Sequence, residues 1–149
     1  MAIKKNNKSE ELSFFVASTE SSLNIPFVEG GVKAGFPSPA ADFMDVPIDL
    51  NVEIIRNPSA TFFCRVRGDS MQDIGISDGD LLVIDKSIEN KDGKVAVCYI
   101  DGEFTLKKIK IEKDCCWLIP ANDKYKPIKV TADNDFVVWG VVTFVIKQL

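Results

Sequence analysis

From residue 60 onward, apolar and polar positions alternate. In Phe62-Phe63-Cys64-Arg65-Val66-Arg67 the even positions are apolar and the last two odd ones are arginine. That is the period of two expected of a strand with one buried face. Leu81-Leu82-Val83-Ile84 and Lys94-Val95-Ala96-Val97-Cys98-Tyr99-Ile100 predict two further strands. Asp101-Gly102 is a two-residue hairpin signal and turns the chain into a return strand over 103–111. Residues 117–119 and the run beginning at Phe136 complete the set. Short strands at close spacing, little helix and no β-α-β alternation predict a mostly β, mostly antiparallel domain without internal repeats.

Ahead of this pattern the chain reads differently. Residues 1–34 are polar, with brief apolar patches at Leu12-Ser13-Phe14-Phe15-Val16 and Ile25-Pro26-Phe27-Val28. No helical period lasts long enough to pack as a unit, so the segment reads as an extended arm, ordered only where it docks. Gly30-Gly31 and Gly35-Phe36-Pro37-Ser38-Pro39 mark a flexible junction. The predicted division is an N-terminal arm over 1–34 and a β-rich domain over 35–149. Early in that domain Asp49 is placed to cap a short helix with Leu50 and Ile54 on one side, stopped by Asn57-Pro58.

Charge and composition narrow the chemistry. The net charge is −4. The arm balances Lys4, Lys5, Lys8 and Lys33 against Glu10, Glu11, Glu20 and Glu29, so the whole deficit lies in 35–149. Neither part has the cationic surplus that draws a protein to phosphates, and direct, specific DNA binding is not expected. The N-terminus carries no apolar segment of a secretory signal. The longest apolar run, 136–146, is interrupted by Gly140 and Thr143 and falls far short of the ~20 residues that span a bilayer. The expectation is a cytoplasmic protein with no membrane association. The four cysteines, at 64, 98, 115 and 116, have no Cys-x-x-Cys spacing and read as small buried hydrophobes.

There is no histidine. That excludes Ser-His-Asp and Cys-His catalysis and removes the commonest metal ligand, so neither cofactor nor metal is expected. Proton transfer near neutral pH then falls to a lysine, a carboxylate or a cysteine. One candidate is Ser70, in Arg67-Gly68-Asp69-Ser70-Met71 at the end of a strand. Gly68 permits an unusual backbone path; taken alone Gly-Asp-Ser reads as a simple turn, and the alternative is that it aims the Ser70 hydroxyl and the backbone N–H groups of Ser70 and Met71 at one substrate carbonyl, a nucleophile next to an oxyanion hole. A second is Lys107, which shares strand parity with Ile109 and Ile111, although Phe104 and Leu106 on the other parity blur the assignment. Deprotonating an ordinary lysine at pH 7 costs roughly 4.6 kcal/mol. Apolar burial can remove most of that, since it lowers a lysine pKa by ~3–5 units. A serine–lysine pair is therefore the most economical nucleophilic apparatus open to this chain. Asp73, Asp78, Asp80 and Asp85 lack the spacing of a calcium loop and read as turn and surface residues.

Together these segments resemble the self-cleaving S24 peptidase family of LexA and UmuD type. Three stretches carry the resemblance: Ala34-Gly35-Phe36-Pro37-Ser38-Pro39-Ala40-Ala41-Asp42, Gly68-Asp69-Ser70-Met71 with Ile74-Gly75-Ile76-Ser77-Asp78-Gly79-Asp80-Leu81-Leu82, and Asp101-Gly102-Glu103-Phe104-Thr105-Leu106-Lys107-Lys108. The resemblance implies Ser70 as nucleophile, Lys107 as general base, Ala34 and Gly35 as the scissile pair and Val32 as a pocket-filling side chain on the arm. It further implies the β domain of that family, and a homodimer whose arm is cut in the SOS response when a RecA filament on single-stranded DNA binds. The trimmed form would then serve a UmuC-like Y-family polymerase in error-prone translesion synthesis. Ala34 keeps a small side chain at a position where the UmuD pattern has cysteine.

Other functions fit the sequence less well. A LexA- or phage-type repressor needs a DNA-binding domain that 34 neutral residues cannot hold. A signal peptidase, which uses related chemistry, needs a membrane anchor. A non-cleaving regulatory binding module has no use for both Ser70 and Lys107.

Overall fold

The computed structural model describes residues 12–20, 22, 24–28 and 45–149; the Gly30-Gly31 and 35–39 junction, Val32, Ala34 and Gly35 lie outside them. Among the described residues ten strands and one short helix run in the order β1 (Ser13–Val16), β2 (Asn24–Val28), β3 (Asp45–Asp49), α1 (Leu50–Ile54), β4 (Thr61–Arg65), β5 (Leu81–Asp85), β6 (Val95–Ile100), β7 (Glu103–Ile111), β8 (Cys116–Ile119), β9 (Ile128–Val130) and β10 (Phe136–Ile146). Eight of them form one sheet in the order β1-β4-β5-β10-β6-β7-β8-β9, with every neighbouring pair antiparallel. β2 and β3 pair separately. The predicted mostly β architecture is what forms.

The local signals work as chemistry requires. At the β6–β7 turn Asp101 and Gly102 both take positive φ, 48° and 93°, as a two-residue turn matched to the strand twist demands. Asp101 Oδ1 and Oδ2 accept from the Asp135 N–H and the Asn134 side chain, fastening this hairpin to the start of β10. Asp49 caps α1, accepting from the Asn51 N–H at 2.9 Å. A 3-10 turn at Pro58–Ala60 then leads into β4.

β10 is the longest strand and pairs on both sides. Its first half lies along β6 and its second along β5, with register shifts at Val138/Gly140 and Val142/Phe144. Such bulges bend a strand and increase its twist. Gly140 sits at one of them because a Cβ there would come within 2.5 Å of Ile84 Cγ2.

Two apolar clusters fill the two faces of the sheet. Cys64, Val66, Met71, Ile76, Leu82, Ile84, Val97 and Leu106 form one; Ala96, Cys98, Ile109, Leu118 and Val130 form the other. Directly opposed residues of an antiparallel pair point to the same face. Val97 faces Leu106 toward the first cluster, and Ala96 faces Lys107 on the side of the second. Both faces of β7 are thus covered at mid-strand, which is why parity along 103–111 is blurred: Leu106 and Lys107 are both buried.

The structure corrects three expectations. Asp80 and Asp85 are not surface residues but are buried. Asp80 Oδ2 accepts from the Ser77 N–H and from Lys147 Nζ at 2.6 Å, tying the end of β10 to the approach to β5. Asp85 accepts from Asn57 Nδ2 and from the backbone and hydroxyl of Ser87. Burial pushes its carboxyl upward, but these hydrogen bonds and the Arg56 charge outweigh that and hold its pKa below the ordinary value. Of the cysteines, Cys64 and Cys98 are fully buried as expected, whereas Cys115 and Cys116 are only half-buried. Strand β9, three residues in a polar stretch, had no signal in the sequence. The patch at 12–16 forms β1, an edge strand of the main sheet.

Candidate active site

Lys107 lies in the middle of β7, opposite Ala96 of β6, with only 5% of its surface exposed. Its amine cannot leave the sheet for solvent, and its neighbours are supplied locally. Lys107 Nζ lies 2.8 Å from Thr105 Oγ1, two positions back on the same face, and 2.9 Å from the Leu106 carbonyl oxygen. A third contact reaches across the fold: Nζ stands 3.0 Å from Ser70 Oγ. Ser70 is 1% exposed. The two residues singled out from the sequence are therefore in hydrogen-bond contact, 37 positions apart along the chain.

These neighbours suit either charge state of the amine. An ammonium donates to all three oxygens. An uncharged amine has two N–H donors, which Thr105 Oγ1 and the Leu106 carbonyl accept, and one lone pair, which meets the Ser70 O–H. The pair can thus exchange the serine proton without moving a heavy atom.

Ser70 is carried by the loop between β4 and β5, and that loop is tied at both ends. Gly68 has φ 104°, a conformation that a side chain resists, and its N–H donates to Asp78 Oδ1 at 2.8 Å. Val66 N–H donates to the Asp80 carbonyl, and Gly79 N–H to the Val66 carbonyl. Beyond Ser70, the Met71 side chain is sunk into the first apolar cluster, and a 3-10 turn at Gln72–Ile74 closes on Gly75 in the left-handed conformation. Among the described residues, the Met71 N–H meets no acceptor.

A second loop, between β8 and β9, fastens the same turn. Ala121 N–H donates to the Ser70 carbonyl at 2.8 Å, and Asp73 N–H to the Ala121 carbonyl at 2.9 Å. Buried Asn122 donates from Nδ2 to the Asp69 carbonyl at 2.8 Å, and the Tyr125 hydroxyl donates to Asp69 Oδ1 at 2.5 Å. Asn122, Tyr125 and Thr105 were not foreseen. Thr105 had a signal, since position i−2 shares the face of Lys107; the other two had none.

Cys98 lies on the lysine's face of the sheet. Burial pushes its thiol up to about 12, with Cys116 adding to the rise and Lys107 and Lys91 opposing it. Burial does the same to Cys64, also to about 12. Both thiols stay protonated at neutral pH and are poor nucleophiles. Among the described residues no group of three or more carboxylate, thiol or imidazole ligands is gathered to hold a metal ion, and no helix is long and apolar enough to cross a membrane.

Fold and site together define an antiparallel β domain in which a serine hydroxyl is buried against a lysine amine. The chain belongs to the S24 peptidase family: the family model described as Peptidase S24-like matches residues 26–143. Among its relatives, Protein MucA of Salmonella typhimurium is 41% identical over 121 residues, covering 80% of this chain and 82% of that protein. Protein SamA of Salmonella typhimurium strain LT2 is 42% identical over 115 residues, 77% of this chain and 79% of the relative. The LexA repressor of Xylella fastidiosa strain M12 is 38% identical over 123 residues, 83% of this chain but 57% of the repressor.

Proposed function

We propose that this chain is a self-cleaving serine peptidase that cuts its own backbone between Ala34 and Gly35. The observation that carries the reading is the 3.0 Å contact between Ser70 Oγ and the buried Lys107 amine. In this mechanism uncharged Lys107 takes the Ser70 proton as Oγ attacks the Ala34 carbonyl carbon. The resulting oxyanion is received by the backbone N–H groups of Ser70 and Met71. The tetrahedral intermediate collapses, the bond to Gly35 breaks, and Lys107 returns the proton to the departing amine. An ester between Ser70 and Ala34 remains. Water, deprotonated by Lys107, hydrolyses it and regenerates the hydroxyl. Val32 fills a pocket beside the site and sets the register of the arm.

Because attacker and target belong to one chain, control lies in presentation of the arm. A partner that binds best to the conformer with the arm in the site raises the rate without contributing a catalytic group. The proposed partner is a RecA nucleoprotein filament in the SOS response to DNA damage. The trimmed chain, as a homodimer in the cytoplasm, then serves as accessory subunit of a UmuC-like Y-family polymerase in translesion synthesis. The relationship to MucA and SamA, and the absence of a cationic surplus, favour this role over that of a repressor.

Mass spectrometry of the purified chain tests the cut. The mechanism needs an uncharged amine and alkaline conditions favour uncharged amines in general, so incubation at about pH 10 is expected to yield a fragment beginning at Gly35 without any partner. RecA, nucleotide and single-stranded DNA are expected to yield the same fragment near neutral pH. An intact chain under both conditions overturns the reading.

A further inference from the structure

The turn that carries Ser70 is held from behind by a short stretch of chain between β8 and β9. Ala121 packs against the first apolar cluster, and Asn122 is buried. The Asn122 amide is oriented by its own loop, since Oδ1 accepts from the Lys124 N–H at 3.0 Å. Nδ2 is then the end that faces the turn, and it donates to the Asp69 carbonyl at 2.8 Å. That carbonyl takes a second, longer bond of 3.2 Å from the Gln72 N–H, inside the turn itself. One residue before Asn122, the Ala121 N–H donates to the Ser70 carbonyl, also at 2.8 Å. Tyr125 grips a different part of the turn, donating from its hydroxyl to Asp69 Oδ1 and to no carbonyl of it.

A peptide unit is planar, and in the trans form its C=O and N–H point in opposite directions. The Asp69 carbonyl shares a plane with the Ser70 N–H, and the Ser70 carbonyl shares one with the Met71 N–H; both units are trans. Those two N–H groups are the donors assigned above to the oxyanion. Residues 121 and 122 therefore hold both planes by their carbonyl ends, on the side away from the reacting carbon. A hydrogen bond at the carbonyl also polarises the unit and makes its N–H a stronger donor. We propose that Asn122, together with the Ala121 backbone, positions the oxyanion hole: it touches no substrate, but aims the Ser70 and Met71 N–H groups at the developing charge. The role rests on Ser70 being the nucleophile, as proposed above. Of the two anchors, Asn122 alone acts through a side chain, so substitution reaches it.

The test uses the full chain and two small reagents, diisopropyl phosphorofluoridate and its thiono counterpart, in which sulfur replaces the phosphoryl oxygen. With either one, a bond forms between Ser70 Oγ and phosphorus as the P–F bond breaks, the hydroxyl proton passes to Lys107 and fluoride leaves. Only the atom presented to the hole differs, and sulfur is the weaker acceptor. Mass spectrometry of the chain and its peptides follows labelling at Ser70. Asn122→Ala is expected to slow the oxygen reagent about tenfold or more and the sulfur reagent by less than about threefold, because it weakens what the hole contributes. Tyr125→Phe loosens the turn but leaves both carbonyls held, and is expected to slow the two reagents by one common factor. Should Asn122→Ala fail to fold, Asn122→Asp takes its place with the same expectation, since it keeps the size and the acceptor for Lys124 and loses the donor. A common factor for both reagents in the Asn122 variant, no slowing at all, or the same oxygen-to-sulfur split in Tyr125→Phe overturns the proposal. A chain that shows the expected split yet is never cut between 34 and 35 supports the proposal and overturns the cleavage reading alone. An unaltered chain that is not labelled at Ser70 overturns the nucleophile, and the positioning role with it.

Discussion

Lys107 is held by a strand whose neighbours on both sides, β6 and β8, fix its height and direction. Ser70 stands on a loop, and what fixes it is a handful of hydrogen bonds from residues 78–80 and 121–125. The two groups meet at 3.0 Å, but they reach that distance by different means. A ladder shares any local loss among many bonds and a buried core. The clasped loop reaches the core through Val66, Met71 and Ile76 but shares a loss among fewer backbone bonds, so one lost bond shifts the hydroxyl more. The sheet sets where the proposed base is; the loops decide whether the proposed nucleophile is there to meet it.

The contrast vanishes when either reacting group is removed. Ser70→Ala and Lys107→Ala are each expected to lower the rate of the proposed Ala34–Gly35 cut at least ~10³-fold, since in the proposed mechanism nucleophile and base act as a unit. The double variant is expected to be no slower than the worse single one. The fragment beginning at Gly35, followed by mass spectrometry over time at fixed pH, checks this. Cleavage that persists in either single variant reassigns the role.

Next in size is a pH weakness built into the sheet. Cys64 on β4 and Cys98 on β6 are both wholly buried and held up to about 12 in the folded chain, against 9.0 for an ordinary thiol. Between those two values the unfolded chain loses protons that the folded chain keeps. Stability therefore falls as pH rises through the unfolded pKa, at up to about 1.4 kcal/mol per pH unit for each thiol. Below pH 9 this contribution is absent. The cut is expected to collapse at strongly alkaline pH as the sheet melts. Circular dichroism at increasing pH, compared between the chain and its Cys98→Ala variant, checks this. A midpoint of alkaline unfolding that does not rise in that variant counts against the account.

The loop side is the more fragile one at neutral pH. Asn122→Ala removes the donor to the Asp69 carbonyl, and an unsatisfied polar group at a buried site costs ~1–3 kcal/mol. If most of that appears in placing Ser70, the cut slows about tenfold, well below the melting temperature and with an unchanged pH profile. A β7 substitution that leaves Lys107 in place, such as Lys110→Gln on the exposed side, is expected to change nothing. Equal rates for Asn122→Ala and Lys110→Gln would erase the distinction between the two supports.

This division also explains how much was legible beforehand. The 103–111 return strand, its Asp101-Gly102 turn, the Asp49 cap and the pairing of Ser70 with Lys107 follow from local periods, from residue types with one conformational use and from the family's motifs. Asn122 and Tyr125 meet Asp69 from 53 and 56 positions away, and no local pattern says which loop will close on which turn. Asp80 and Asp85 were read as exposed because isolated carboxylates are rarely buried. What reverses that expectation is partners supplied by the tertiary fold, Lys147 at one and Asn57 and Ser87 at the other. β9 is three residues long and takes its place from the edge of β8 rather than from its own sequence.

Thr105 joins the two kinds of support, since it sits on the ladder yet touches the reacting amine. Its hydroxyl lies 2.8 Å from Lys107 Nζ, two positions back on the same face of β7. Thr105→Val keeps the branched shape that the strand packs and removes only the acceptor. The strand itself is therefore expected to stay in register, with hydrogen exchange over 95–111 unchanged. The amine loses one of the oxygens that orient its lone pair toward Ser70, a neutral hydrogen bond worth about 0.5–1.5 kcal/mol. The cut is expected to slow by about three- to tenfold, and Thr105→Ser, which returns an oxygen at the same distance along the side chain, to recover most of it. A rate unchanged in Thr105→Val means that the ladder alone aims the base, and a loss that Thr105→Ser fails to restore means that the methyl group matters rather than the hydroxyl.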